Sequence, residues 1–259
     1  MPVNNQIYQQ QPQAWWDENH PLHLLKTGLN PARFGYFCQI LRQEKISPPG
    51  LRLLDVGSGG GFLSEEFARA GFLVSGLDPA LASCRAASQH ARPQALSIDY
   101  LAGVGESLPF AADTFDLTLC CDVLEHVDDL PQVAAELLRV TRPGGLLFFD
   151  TINRSFISYL ANIFIAQQFP LTALFERDTH RWEKFIRPQE LIALLTRHGL
   201  TRIHLTGMNS ARPRPMVAAL LVLRKLGFFN AAELGRKLRF RIDENLQSNY
   251  IGWGQKKVA

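Results

Sequence analysis

Residues 53–63, Leu-Leu-Asp-Val-Gly-Ser-Gly-Gly-Gly-Phe-Leu, constrain the fold more than any other stretch of the chain. They read as a buried strand, a glycine turn and the start of a helix. Four of the five residues from 57 to 61 are Gly. Gly enters left-handed backbone regions without a Cβ clash and lets a ligand approach bare main chain. The free N–H groups of the helix start then point into the turn. A second strand, residues 73–78, follows and ends on an acid, Asp78. Glycines that pass a ligand, with a carboxylate at the next strand end to take two ribose hydroxyls, form a nucleoside site.

The spacing narrows the nucleoside. The pattern is Asp55-x-Gly57-x-Gly59-x-Gly61 rather than G-x-G-x-x-G, and no Lys-Ser/Thr follows, which excludes a P-loop. An acid just ahead of the glycines repels a pyrophosphate and suits a ligand with an ammonium group and a sulfonium centre. On these residues the chain resembles the class I S-adenosylmethionine-dependent methyltransferases, whose first motif is an acid followed by G-x-G-x-G. The resemblance implies S-adenosylmethionine as cofactor, held around Asp55, Gly57, Gly59 and Asp78.

From residue 51 onward, strand and helix patterns alternate. Strands are expected at 51–56, 72–78, 97–102, 115–121, 146–150 and 200–206, with a last one from Asn249. Helices are expected at 33–44, 61–70, 80–91, 129–140 and 188–198, the last opening on Pro188 and stopping at Gly199. Such alternation makes an α/β fold: a doubly wound, mostly parallel sheet with helices on both faces, which binds ligands at the C-terminal strand ends. The resemblance specifies a Rossmann-like sheet of seven strands. The expected organisation is a disordered lead-in at 1–14, then one domain. That domain comprises N-terminal lid helices (15–50), a cofactor-binding core (51–154), an apolar cap (155–187) and an insertion (207–248).

Composition bounds the partners. With 46% apolar and 20% charged residues among 259, the chain is globular. Net charge is only +3, but residues 201–259 carry 11 Lys/Arg against 3 Asp/Glu. A basic end on a mildly acidic body points to an anionic surface or to a solvated face. No base-stacking aromatic-basic module and no N-P-P-Y/F motif is present, so nucleic acid is not the expected partner. The four Cys, at 38, 84, 120 and 121, form no C-x-x-C and read as buried thiols in a reducing compartment. Residues 1–13 lack the basic and apolar regions of a signal peptide, so a cytoplasmic location is expected. Residues 155–175 contain no charge at all, but Gln167, Gln168 and Pro170 argue against a membrane span. An amphipathic cap that covers an apolar substrate or dips into a membrane interface fits better.

Candidate chemistry lies in three segments on the ligand edge. After strand 115–121 comes Asp122-Val-Leu-Glu125-His126. Three readings fit it: Asp122, Glu125 and His126 as ligands of a divalent cation; His126, adjusted by Glu125, as a general base; or Glu125-His126 as a helix cap. After strand 146–150, Asn153 and Arg154 are placed to grip a substrate or order the cap. Past the cap lies residues 178–188, where His180 is a second base candidate.

Together these segments extend the likeness. The chain resembles the ubiquinone-biosynthesis O-methyltransferases, which methylate polyprenylated hydroxyphenols. The likeness rests on Trp15-Trp16-Asp17, Pro21-Leu22-His23, Asn30-Pro31-x-Arg33, the glycine turn, Gly76-Leu77-Asp78, Leu124-Glu125-His126-Val127, Thr151-x-Asn153-Arg154, Thr179-His180-x-x-x-Lys184-Phe185-Ile186-x-Pro188 and Asn249-Tyr250. It implies cofactor contacts at Arg33, Gly57, Asp78 and Cys121, and Mg²⁺ held by Asp122, Glu125 and His126. It also implies a prenylated phenol or quinol acceptor, and the uncharged cap with the basic 207–248 segment points to peripheral contact with an anionic membrane. The chain departs from the family in residues 207–248, longer than the usual connection.

Overall fold

Apolar runs broken by Gly and Pro fold as the central strands, which are buried on both faces, while the outer strands are partly exposed. A computed structural model describes residues 6–176 and 179–258. The strands are β1 (Arg52–Val56), β2 (Leu73–Asp78), β3 (Ile98–Ala102), β4 (Phe115–Cys121), β5 (Thr141–Ile152), β6 (Leu200–Ser210), β7 (Phe240–Asp243) and β8 (Asn249–Lys256). They form one sheet in the order β3-β2-β1-β4-β5-β8-β6-β7. Pairing is parallel from β3 through β5, while β8 runs antiparallel between β5 and β6, and β7 antiparallel on the outer edge of β6. The sheet therefore has one strand more than the seven expected, and the extra strand comes from the 207–248 segment. Strand order reverses at β1, between β2 and β4. Crossovers leave in opposite directions there and open a crevice at the strand ends.

The helices are α1 (Gln6–Gln10), α2 (Asn30–Gln43), α3 (Phe62–Arg69), α4 (Leu81–Ala91), α5 (Leu130–Val140), α6 (Phe156–Ser158), α7 (Pro188–Arg197), α8 (Arg214–Lys225) and α9 (Ala231–Leu238). Two apolar layers sandwich the sheet. Successive strand residues point to opposite faces, so Phe148 enters the layer with Phe37, Phe67 and Trp253, while Phe149 enters that with Val133, Leu137 and Tyr250. Phe37 of α2 stacks on Phe148 with ring centroids 4.3 Å apart, which anchors the helix that carries Arg33.

Three regions differ from expectation. In the lead-in expected to be disordered, residues 1–5 lie outside the described residues, but α1 and a 3₁₀ turn at Pro12–Trp15 are ordered, with Tyr8 stacked on Trp15. The cap is α6 continued by a π-helical run, Tyr159–Gln168. The 207–248 insertion folds as a helical pair, α8 and α9, closed by β7. Asn230 caps α9 by accepting from the Glu233 amide, a capping box, and α9 buries Leu234 and Leu238. No helix among the described residues is long and apolar enough to cross a membrane.

Phe37 is fully buried. Phe37→Ala should therefore cost ~3–5 kcal/mol of stability, read as a lowered urea midpoint. An unchanged midpoint would mean that α2 is held by something other than this stack.

Candidate active site

The site sits where β1, β2, β4 and β5 end. Gly57 follows β1 with φ +75°, and a Cβ there would lie 2.1 Å from the Val123 side chain. The turn must therefore be glycine both for its backbone and for its neighbour. The Gly59 amide donates to Asp78 Oδ2 at 2.9 Å and the Ala80 amide to Oδ1 at 2.8 Å. Both carboxylate oxygens are thus fixed while the group still lines the cavity. Burial raises the Asp78 pKa and the two amides oppose that rise. Asp55, buried and accepting from Ser64 Oγ at 2.6 Å, is pushed up to about 6 by its burial. A bare main chain beside an oriented carboxylate fits the ribose of an S-adenosylmethionine-sized ligand.

The N-terminal segment lies across this turn. A Cβ on Gly59 would come within 2.5 Å of the Trp15 ring, whose Nε1 donates to Ser83 Oγ at 2.9 Å. Trp16 donates to the Gly60 carbonyl and stacks flat on His90. The adjacent tryptophans therefore pack on the cofactor turn, as a lid would. Tyr8 and Gln9 also line the cavity. Sequence reasoning missed them, since Tyr8 is the only aromatic residue in a polar lead-in.

Arg33 is buried in the floor. Its guanidinium donates to Asp122 Oδ2 at 2.6 Å, to Asp150 Oδ1 at 3.0 Å and to Asn30 Oδ1 at 2.6 Å. Its Nε lies 2.5 Å from Asp150 Oδ2. Asp122 takes up φ +54°, a costly conformation for a non-glycine residue, and its amide donates to Asp150 Oδ1 at 3.0 Å. Burial alone would raise the Asp122 carboxyl, but Arg33 outweighs it and holds that pKa low. Asp150, more deeply buried, goes up to about 7 despite Arg33. Arg33, Cys121 and Asp122 all line the cavity, and burial pushes the Cys121 thiol far up, leaving it protonated.

Two of the expected metal ligands are engaged by other side chains. Asp122 is committed to Arg33, and Glu125 Oε2 accepts from Thr151 Oγ1 at 2.8 Å. Among the described residues no three His, Cys, Asp or Glu side chains are grouped so as to hold a metal ion. The donors Asp122, Glu125 and His126 are not brought together, so the site does not fit Mg²⁺.

The two histidines are brought together. His126 and His180 have ring centroids 5.3 Å apart, and Nδ1 of each is buried without a partner. Burial lowers His126 to about 4, with help from the Lys184 charge, and lowers His180 to about 3. Both are neutral imidazoles on the cavity wall. Gln167 of the cap holds His180 by its backbone: the His180 amide donates to Oε1 at 2.7 Å, and Nε2 donates to the His180 carbonyl at 3.1 Å. Asn153 and Arg154, by contrast, leave the cavity; Asn153 donates to the Leu246 carbonyl and Arg154 pairs with Glu190. One cavity of about 1250 Å³ joins these parts and runs on between apolar walls. That exceeds the volume a single drug-sized ligand needs.

Glu125 is 2% exposed and is pushed up to about 8 by burial and the Asp122 charge. A carboxyl with a raised folded pKa contributes stability that is full below its unfolded value near 4.3 and is lost as pH rises through its folded value. Glu125→Gln should therefore gain thermal stability on the wild type between about pH 5 and pH 9. Melting curves that shift in parallel across that range would contradict a protonated Glu125.

A family model described as a methyltransferase domain matches residues 54–149. A ubiquinone biosynthesis O-methyltransferase of Methylobacterium sp. (strain 4-46) is 38% identical over 202 residues, spanning 75% of this chain and 80% of its own length. One from Hahella chejuensis is 41% identical over 199 residues, spanning 75% and 79%. In fold, the chain is similar to the YcgJ protein of Bacillus subtilis, with TM-score 0.59 at 16% identity, covering 87% of this chain and 100% of that one. It is also similar to a Haemonchus contortus phosphoethanolamine N-methyltransferase 2 crystallised with phosphomonomethylethanolamine and S-adenosylhomocysteine. That match has TM-score 0.58 at 15% identity and covers 87% of this chain and 53% of that one.

Proposed function

Since the chain belongs to the ubiquinone biosynthesis O-methyltransferase family and is an S-adenosylmethionine-dependent O-methyltransferase, we propose that its acceptor is the hydroxyl of a polyprenyl-tailed phenol or quinol on the way to a ubiquinone-type quinone. One observation carries this reading. One cavity is lined by the glycine turn and Asp78, by the imidazoles of His126 and His180, and by apolar residues of the cap and α8. That lining supports a polar cofactor, a proton acceptor and an apolar tail within one site.

When bound, S-adenosylmethionine supplies a methyl group on a positively charged sulfur, already activated for displacement. Asp78 orients the ribose, and Gly57 and the lid tryptophans fix the nucleoside against the turn. His126 accepts the proton of the acceptor hydroxyl as its oxygen attacks the methyl carbon, and His180 flanks the same hydroxyl. The C–S electron pair returns to sulfur as the O–C bond forms. Protonated Glu125 adds no second negative charge beside Asp122, which leaves the phenolate as the one developing anion. Much of the rate comes from positioning, and Gln167 supplies part of it by fixing His180.

Exposed apolar residues support contact with a membrane. Phe156 is 76% exposed and Phe228 71%, and Leu160, Phe164, Leu171, Met216 and Leu226 are also on the surface. Basic residues of α9 and β7 add attraction to anionic lipid. The protein should float with anionic vesicles at low salt. Neutralising Arg236, Lys237, Arg239 and Arg241 should release it, and binding that survives both high salt and that change would refute the electrostatic part.

The reaction itself is tested by labelled methyl transfer to a total lipid extract, with a labelled quinone-type lipid as the expected product. No labelled product, with cofactor bound normally, would make the protein a binding module instead. Asp78→Ala should abolish cofactor binding. His126→Ala should lower kcat by about 10²-fold or more with cofactor affinity kept. Because burial holds both imidazoles well below neutrality, kcat/KM of the wild type should show no acid limb above about pH 6. A limb near the ordinary histidine value would point to another base.

A further inference from the structure

The cofactor, the acceptor ring and the base account for the strand-end half of the cavity. Its other half is bounded by a segment that none of that chemistry uses. Helix α8 presents Val217, Ala218 and Leu221 to the cavity. The spacing i, i+1, i+4 puts them on one helical face. Leu220 and Leu221 are buried in the apolar layer that also holds Leu24, Leu29 and Met208, so α8 is seated as a fixed wall. Ala219 and Met216, on other faces of α8, are exposed. The cavity lining includes small residues from both segments, Ala218 of α8 and Ala161 of the cap. Arg212, Arg214 and Arg241 line the cavity as well and form a basic rim at that end.

We propose that α8 is the tail-binding wall of this enzyme, and that Val217 and Ala218 set the bulk and length of the apolar tail its acceptor carries. The proposal rests on the acceptor reading above and adds where the tail lies. The polar ring stays between His126 and His180, and the tail runs along α8 toward the basic rim. A methylene-sized change in such an apolar wall is worth about 10-fold or more in discrimination, so one residue of α8 suffices to select a tail.

The test measures binding rather than turnover. Dissociation constants are determined by calorimetry for a farnesyl-substituted catechol and for unsubstituted catechol, with S-adenosylhomocysteine present, in wild type, Ala218→Trp and Ala219→Trp. Ala218→Trp should weaken the farnesylated ligand about 10-fold or more and catechol much less. Ala219→Trp, on the exposed face, should change neither. Because tryptophan risks overpacking, Ala218→Leu serves as a second variant with a smaller loss of the same pattern, and bound S-adenosylhomocysteine verifies that each variant folds. Equal weakening of both catechols, no weakening of the farnesylated one, or no binding of it by wild type overturns the proposal. Methyl transfer by the wild type is scored separately. If tail-dependent binding is lost in Ala218→Trp while wild type methylates no hydroxyphenol, the tail site stands and the acceptor reading falls.

Discussion

The ion cluster of Arg33 with Asp122 and Asp150 is the constraint on which the site depends. One buried cation serves two carboxylates, so it cannot fully satisfy both. Asp122 stays ionised, and the deeper Asp150 is drawn toward the protonated form. Removing one partner of such a cluster leaves an uncompensated buried charge, at a cost of about 3–5 kcal/mol. The cluster also ties α2 to the ends of β4 and β5, and Asp122 within it adopts a left-handed conformation. After this turn Glu125 is buried while His126 lines the cavity.

The same cluster explains why an acid-acid-imidazole sequence is not a metal site here. Three donors spaced over five residues serve a cation only if their side chains converge, and among the described residues no such group forms. Arg33 takes Asp122 and Thr151 takes Glu125. What remains is an imidazole with a free buried nitrogen, facing a second one from the cap. Two neutral histidines in an apolar wall are poor ligands without a carboxylate.

Most of the sheet was legible because its strands are apolar runs with sharp breaks. Phe115–Cys121 appears with the limits its sequence suggests, and the acid at the end of β2 does stand beside the glycine turn. The glycine turn and Asp78 together, not the spacing alone, pointed to a nucleoside site. Less legible was anything set by long-range packing. The π-helical turns at Leu25–Leu29 and Tyr159–Gln168 have no simple periodicity, since they depend on what they cover. Gln167 reads as an argument against a membrane span, and only the tertiary fold reveals it gripping the backbone of His180. In the 207–248 segment the signal was present but divided. Asn230 and Glu233 form a capping box visible in sequence, whereas the run Met216–Leu223 contains no polar residue to mark its solvent face.

That run is ambiguous because α8 has three environments rather than two: one face in the core, one on the cavity and one at the surface. A helix so placed needs apolar residues throughout, and its neighbour α9 supplies the polarity instead. The α9 backbone comes against the lid at Gly235 and Gly28, where a Cβ on Gly28 would meet Gly235 Cα at 3.3 Å. The Ala232 amide donates to the Glu18 carbonyl at 3.0 Å, and Arg224 of α8 to the Asn19 carbonyl at 2.7 Å. The segment that walls the apolar end of the cavity therefore also braces the segment that covers the cofactor. Two residues far apart in the chain, Gly28 and Gly235, make this possible, because only bare backbones approach so closely. The segments that wall the two ends of the cavity are in this way braced against each other as one unit.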